Sequence, residues 1–431
     1  KTSSPTSLIN AIQYQDPSFR IKENLDMGSN PNAMPEMYIR GQSGIGVSEL
    51  DRSSISQTSL NNNPNLPVFI LDGFEVSVTK VYDLDINRVE NITLLKDAAA
   101  TAMYGSRAAN GVVVITTVAP QPGKLNLSYT LDLGLSFPDL SYYNLMNANE
   151  KLEAEVAAGL FTPTDVGMMN KLEKIYNQKL QNIERGVSTD WLALPLRNAV
   201  SHKHSVYIDG GSKDVRYGLD LKYDKQNGVM KESFREKTGF GFSLSYQVKG
   251  FLFKNYASYD GMNSQESPYG TFSEYAKMNP YDTYLDDYGR VVKGMKAWHD
   301  NSYRNPMFDA TLGSFDKAKY REFYDNFNVR WYITPKLNVK GSITFNYKVD
   351  KTEKFRDPEA TYFEGRTDKG DLMVTERITS GYDMSTLLFY VNQLEKHYVN
   401  LSVGINMKEN VSDYTSMYYT NFPEGGFSSP D

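Results

Sequence analysis

Leu125-Asn-Leu-Ser-Tyr-Thr-Leu-Asp-Leu-Gly-Leu-Ser-Phe137 decides the fold. Apolar residues hold every odd position and Asn, Ser, Thr, Asp and Gly hold the even ones, the period of a strand with one greasy and one wet face. A tilted strand needs about 9 to 11 residues to cross a bilayer, and this one is long enough. The parity returns in Val215, Tyr217, Leu219, Leu221 and Tyr223, in Phe240, Phe242, Leu244, Tyr246 and Val248, in Leu337, Val339, Ile343, Phe345, Tyr347 and Val349, and in Val399, Leu401, Val403, Ile405 and Met407. Less regular members near 203–209, 251–260, 321–333 and 385–394 bring the total to about nine strands.

The connections alternate in length. Short turns fall at 210–213, 249–250, 334–335 and near Glu395, and between them come longer loops near 225–233, from Gly261 and from Lys351. The first strand is also followed by a long connection, with a helical-looking stretch at 149–183. Outer-membrane barrels have short turns at one rim and long loops at the other, whereas a soluble sandwich has no reason to obey such a parity. The pattern predicts a membrane all-β barrel, antiparallel throughout. A barrel must close, and bacterial ones have even strand numbers. About nine strands therefore imply a longer parent chain, with 411–431 expected as an external loop before further strands.

Composition narrows the chemistry. With 40% hydrophobic and 13% aromatic residues over 431 positions the chain folds, since disordered segments lack the apolar surface to offset ordering entropy. A mean hydropathy of -0.51, with no long apolar run, excludes a transmembrane helix but not a barrel, whose alternation averages out. There is no cysteine, hence no disulfide and no thiolate chemistry. The 46 basic and 52 acidic residues are scattered and leave a net charge of -6, which argues against nucleic acid as a partner. Of four histidines, His202 and His204 share a strand face but lack a third ligand, and Asp282, Asp286 and Asp287 lack calcium-loop spacing, so no metal is expected. Neither a nucleophile elbow nor a P-loop occurs. Pairs of acids arise by chance among so many, so glycosidase carboxylates cannot be argued. No enzyme activity and no cofactor are expected. The chain opens at Lys1 without a leader pattern.

The first 120 residues read differently. Leu66-Pro-Val-Phe-Ile-Leu71 is a buried-strand run ended by the turn pair Asp72-Gly73. Val89–Leu95 is a second strand, alanine-rich 96–104 a short helix closed by Gly105, and Val112–Thr117 a β-branched strand after the turn at Gly111. This is a small α+β domain over 1–120, closed by the linker Ala119-Pro-Gln-Pro-Gly123, with barrel strands over 121–431.

Leu66–Phe74, Leu84-Asp-Ile-Asn-Arg-Val-Glu90 and Leu94-Leu-Lys-Asp-Ala-Ala-Ala-Thr-Ala-Met-Tyr-Gly-Ser-Arg-Ala-Ala-Asn-Gly-Val-Val-Val-Ile-Thr-Thr117 closely resemble the plug signature of TonB-dependent outer-membrane transporters, in the version of the SusC/RagA branch of Bacteroidetes-type bacteria. Tyr38-Ile-Arg-Gly41 resembles the Arg-Gly strand of the same plug, and Thr189-Asp-Trp-Leu192 with Ser205–Gly211 the second barrel strand. The resemblance implies a complete barrel of about 22 strands with the plug in its lumen. It further implies energy supplied by TonB, a SusD-like surface lipoprotein as partner, and active import of an oligomeric nutrient, glycan or peptide. The TonB box expected upstream of the plug does not occur in this chain, and about half the expected barrel lies outside it. A surface receptor or adhesin on the same scaffold is the alternative; an outer-membrane hydrolase would need a nucleophile and base that are not found.

Within the plug motif the residues singled out are Arg40, Asp72, Gly73, Lys96, Asp97, Tyr104, Gly105, Arg107 and Gly111. Gly73, Gly105 and Gly111 stand where the chain turns tightly or takes positive φ. Asp72, Lys96, Asp97 and Arg107 would pair with charges of the polar lumen and loosen when TonB pulls; the plainer reading is a well-packed domain with solvated charges. For substrate, Tyr269, Tyr284, Tyr288, Trp298 and Tyr303 offer aromatic faces beside polar groups, or else simply pack a long loop. Tyr223, Tyr246, Tyr256 and Tyr259 are expected in the interfacial aromatic girdle.

Overall fold

The computed structural model describes residues 8–22, 30–33, 36–39, 66–96, 108, 110–298, 301–394 and 397–423. The N-terminal domain begins with helix α1 (Leu8–Gln15) and the antiparallel pair β1 (Phe19–Lys22) and β2 (Glu36–Ile39). Next come β3 (Val68–Leu71), β4 (Phe74–Val76), the short helix α2 (Val78–Tyr82), β5 (Val89–Leu95) and β6 (Val112–Thr117). The four later strands form one sheet in the order β4-β3-β6-β5, with β3 and β6 parallel. Central β3 is buried along its whole length, the expected fate of an unbroken apolar run. Asp72 and Gly73 turn β3 into β4 at φ 51° and 97°, the two successive positive angles of a type I′ hairpin, which Asp-Gly tolerates. Leu8, Ile9 and Ile12 of α1 close the core against Phe19, Phe69, Leu71, Val81, Val113 and Ile115.

After Gly123 the chain builds its large sheet. Strand β7 (Gly123–Ser136) is followed by helices α3 (Ala148–Ala157) and α4 (Val166–Glu184), then β8 (Ala199–Gly211), β9 (Val215–Asn227), β10 (Phe234–Val248) and β11 (Phe251–Gln265). A long excursion carries helix α5 (Phe272–Ala276) and the hairpin β12 (Gly294–Trp298) and β13 (Asn301–Arg304). Then come β14 (Phe315–Thr334), β15 (Leu337–Arg356), β16 (Asp371–Leu394) and β17 (His397–Thr420). Among the described residues the wall has nine strands in the order β17-β16-β15-β14-β11-β10-β9-β8-β7, each antiparallel to its neighbours. None of the described helices is long and apolar enough to cross a membrane.

Several strands outrun the stretch in which apolar residues alternate. The loop expected from Lys351 is confined to 357–370, and Val411–Thr420, expected as external loop, is the second half of β17. Beyond the lipid both faces of a strand are wet, so the alternation stops while backbone pairing continues.

Residues directly opposite across antiparallel strands share a face, which sorts the wall cleanly. Leu125, Leu127, Leu131, Phe240, Phe327, Ile343, Leu388 and Leu401 lie on the exposed outer face, and Lys203, Asp220, Asp260 and Glu322 on the inner one. Near the rim of short turns Phe251 stacks on Trp331 at 5.4 Å and on Phe253 at 5.9 Å, beside Tyr246. Tyr256 departs from its expected place in this girdle. It follows the parity of Ser258 and Asp260 and faces the lumen, 6.5 Å from the ring of Tyr324.

Candidate functional site

The N-terminal domain meets the inner face of the wall through Ser77-Val-Thr-Lys-Val-Tyr-Asp-Leu-Asp-Ile-Asn-Arg88. Ser77 caps α2 by accepting the Lys80 amide at 3.2 Å, and Asp85 caps the following turn by accepting the Asn87 amide at 3.0 Å. These caps satisfy amides that a helix start leaves without partners. The two short helical turns send Val78, Val81, Leu84 and Ile86 into the domain core. Lys80, Asp83, Asp85 and Arg88 are thereby turned to the wall, where all four are buried.

Each finds an opposite charge there. The Arg235 guanidinium of β10 donates to Asp83 at 3.0 and 3.2 Å, Lys237 lies 3.4 Å away, and the Tyr320 hydroxyl of β14 donates to the same carboxylate. Burial alone would raise the Asp83 carboxyl, but Arg235, Lys237 and the Tyr320 hydrogen bond hold it at about 2. Lys80 pairs with Asp260 of β11, lies 3.6 Å from Glu322 of β14 and donates to Ser258 at 3.1 Å. Burial opposes its charge, yet Asp260 and Glu322 keep it protonated beyond the ordinary lysine range. Asp85 accepts from Lys203 and Ser205 of β8, which outweigh burial and lower its pKa. Arg88 lies 3.7 Å from Asp220 and 3.9 Å from the ring centroid of Tyr207. Five wall strands thus hold one twelve-residue segment.

The wall makes room for this lattice with glycine. At Gly239 a Cβ would run into the Lys222 side chain and come within 2.8 Å of Asp260, and at Gly241 it would strike the Asp220 carboxylate. Both glycines are successive inward positions of β10, and the hollow they leave is where Lys222 reaches Asp260 at 2.8 Å. Towards the long-loop rim a cavity of about 1300 Å³ opens between domain and wall, lined by Phe74, Glu75 and Lys80 on one side and Glu322, Tyr324, Lys348 and Arg377 on the other.

The residues singled out in the sequence fall differently. Asp72 accepts from the backbone and hydroxyl of Thr117 at 2.9 and 2.7 Å, and Lys96 pairs with Asp16 at 2.5 Å. Both partners lie inside the N-terminal domain, in place of the expected lumen charges, because parallel pairing of β3 with β6 brings Thr117 beside Asp72, and Asp16, just after α1, stands within reach of Lys96 at the end of β5. Gly73 and Gly111 take φ of 97° and 95°, as tight turns require. Arg40, Asp97, Tyr104, Gly105 and Arg107 lie outside the described residues. The wall-facing set Lys80, Asp83, Asp85 and Arg88 was not anticipated. Its signal is legible in retrospect: apolar 78, 81, 84, 86 and 89 interleave with charges at 80, 83, 85 and 88, one set for each side of the segment.

Of the loop aromatics, Tyr269 and Tyr284 pack around buried Trp191, Tyr275 and Met295, with Tyr284 edge-on to Trp191 at 6.0 Å. Tyr281 is buried and donates to Glu155, which also binds Lys179 at 2.7 Å. Tyr288 is 84% exposed. Trp298 and Tyr303 fall in the β12–β13 hairpin, and their side chains lie outside the described residues. His202 and His204 point outward, beside Tyr223, and His204 shares a hydrogen bond with Tyr129 at 2.8 Å. Among the described residues no group of three or more His, Asp or Glu is placed to hold a metal ion.

Comparison with known proteins agrees with this architecture. Residues 1–112 match the family described as TonB-dependent Receptor Plug Domain. The TonB-dependent receptor SusC of Bacteroides thetaiotaomicron is 27% identical over 347 residues, covering 74% of this chain and 31% of that protein. The TonB-dependent receptor P39 of Formosa agariphila is 23% identical over 404 residues, 91% of this chain and 35% of its own length. The structure of the RagAB peptide importer in its open-open state superposes with a TM-score of 0.78 at 18% identity, over 98% of this chain and 47% of that one. The unliganded ferric citrate transporter FecA gives a TM-score of 0.60 at 11% identity, over 99% of this chain and 49% of that one. The chain spans about a third of the length of these curated relatives.

Proposed function

The chain belongs to the TonB-dependent receptors of the SusC/RagA kind, outer-membrane β-barrels with a plug in the lumen, and from that premise we propose that the complete protein actively imports an oligomeric nutrient. The cargo is a glycan or a peptide, TonB supplies the energy, and a SusD-like surface lipoprotein serves as partner.

One observation carries the reading: the plug is fastened to the wall by buried ion pairs, Lys80 to Asp260, Asp83 to Arg235 and Asp85 to Lys203. A buried ion pair contributes little net stability relative to both partners in water, yet removing one partner alone is expensive. A fastening of this kind holds while the lumen is closed and releases at low net cost once a pull lets water reach both charges together. An apolar seam would resist throughout. The gating role expected of Asp72 and Lys96, whose partners lie within the plug, passes in this reading to the 77–88 segment. Ligand captured at the long-loop rim enters the cavity above the plug, and plug rearrangement opens the way inward. Among the loop aromatics whose side chains are described, Tyr269, Tyr284 and Tyr288, the exposed ring of Tyr288 is the candidate for first contact.

The test is uptake of labelled oligosaccharides and peptides by cells carrying the complete protein, with and without an uncoupler, beside mass spectrometry of the protein extracted in mild detergent. Uncoupler-sensitive uptake and a co-purifying lipoprotein are the expected result. Binding at the surface with no uptake would overturn the import reading in favour of a surface receptor.

A further inference from the structure

Lys254 of β11, Arg330 of β14 and Lys340 of β15 face the lumen at one level. Each lies within five residues of the short-turn end of its strand. Arg330 and Lys340 are directly opposite in register, and Lys254, opposite Asn328, is one diagonal step from Arg330. Lys340 extends its ammonium to within 3.7 Å of where a Cβ on Gly73 would stand, so the cluster lies against the plug's β3–β4 turn. No carboxylate among the described residues pairs with any of the three, and nearby Asp72 is engaged by Thr117. Elsewhere on the same wall Lys222, Lys237 and Lys348 each have an acid at 2.8 to 3.1 Å.

Like charges directly opposite across strands destabilise a sheet, and an inner face held in this state is poised for an anion. We propose that Lys254, Arg330 and Lys340 form an anion-binding shelf on the inward side of the plug turn, and that the oligomer passing it carries carboxylate or sulfate groups. The second half of this proposal rests on the import reading above; the first does not. A repeating anionic chain would be handed from the cavity to the shelf as the plug turn moves off Lys340. Three clustered donors hold an anion through charge-assisted hydrogen bonds, with an affinity that falls as salt rises.

Two measurements on the complete protein separate the claims. In the first, inorganic sulfate is titrated calorimetrically into purified protein and into Arg330→Gln/Lys340→Gln, with heat-modifiable gel migration confirming that the barrel is intact. Loss of two charged donors should weaken binding by roughly tenfold or more; equal binding by both proteins overturns the shelf, whatever is imported. In the second, cells are offered tetragalacturonate and tetraglutamate beside maltotetraose and tetraalanine. The expected result is import of an anionic oligomer that the double variant slows several-fold. Import of neutral oligomers alone, at equal rates in both proteins, overturns the cargo class while leaving import standing. Uptake of none of the four, with sulfate still bound, overturns the anionic cargo class and keeps the shelf, and the import reading is then decided by the uptake test above.

Discussion

Replacing Asp83 with asparagine keeps the shape of the side chain and removes the charge that Arg235, Lys237 and Tyr320 converge upon. Arg235 is 2% exposed and would be left as an uncompensated buried cation, a change that costs about 3–5 kcal/mol. The carboxyl itself gives a lower figure. Held at about 2 against an ordinary 3.8, it reports roughly 2 kcal/mol of favourable interaction in the folded protein. A working value of ~3 kcal/mol predicts that amides of the 77–88 segment exchange with solvent roughly 100-fold faster, while wall amides stay unchanged. Hydrogen exchange followed by mass spectrometry on the complete protein in detergent measures both in one experiment. The pH dependence has a fixed sign. A carboxyl lowered on folding contributes fully above its unfolded value and loses that contribution as the pH falls from about 4 to about 2. Protection of the segment should therefore be flat from pH 5 to 8 and fall only in that acid window. Replacing Asp83 and Arg235 together should cost less than the sum of the single changes, since the pair then leaves no orphan. Exchange within threefold of wild type in the Asp83→Asn protein would refute the fastening.

Lys80→Gln should loosen the same segment by about 2–4 kcal/mol, because Asp260 and Glu322 stay buried. Lys96→Gln, which loses a partly exposed pair with Asp16, should stay within about 1 kcal/mol by thermal unfolding. Gly239→Ala should speed exchange of 77–88 and lower the yield of plugged barrel, since its Cβ enters the space of Lys222 and Asp260; normal yield and exchange would count against the hollow. Trp191→Ala should cost about 3–5 kcal/mol of loop order, read as faster proteolysis between β11 and β14. Tyr288→Ala, at an 84% exposed site, should leave that proteolysis unchanged and act, if anywhere, on ligand capture.

The wall was legible in the sequence where lipid imposes a period. Leu125 to Phe137 and Val399 to Met407 show their faces because each outward position must be apolar. Glu409, Val411 and Asp413 keep the same strand going, but with water on both sides nothing in the side chains records it. The plug sheet could be read from Val68–Leu71 and Val112–Thr117 because β-branched runs between turn residues leave few alternatives. The fastening was not legible. Asp83 and Arg235 are 152 positions apart, and a charge does not name its partner across such a distance. Lys96 is the converse case: its acid, Asp16, sits in the same domain, and a charge in a sequence does not say whether its partner is local or across the lumen. Tyr256 misled through parity, since a tyrosine fits either face and only the register with Asp260 places it.

Strands β16 and β17 have 24 residues each. At about 3.3 Å per residue and a tilt near 40°, such a strand rises roughly 60 Å, against an apolar band of about 25 Å. The wall on this side is therefore a chimney standing far above the bilayer. Genetics should feel the difference along a single strand. Lesions near Leu401 and Val403 belong with insertion and assembly, and lesions near Tyr414 and Tyr418 with whatever the protein meets first outside the cell.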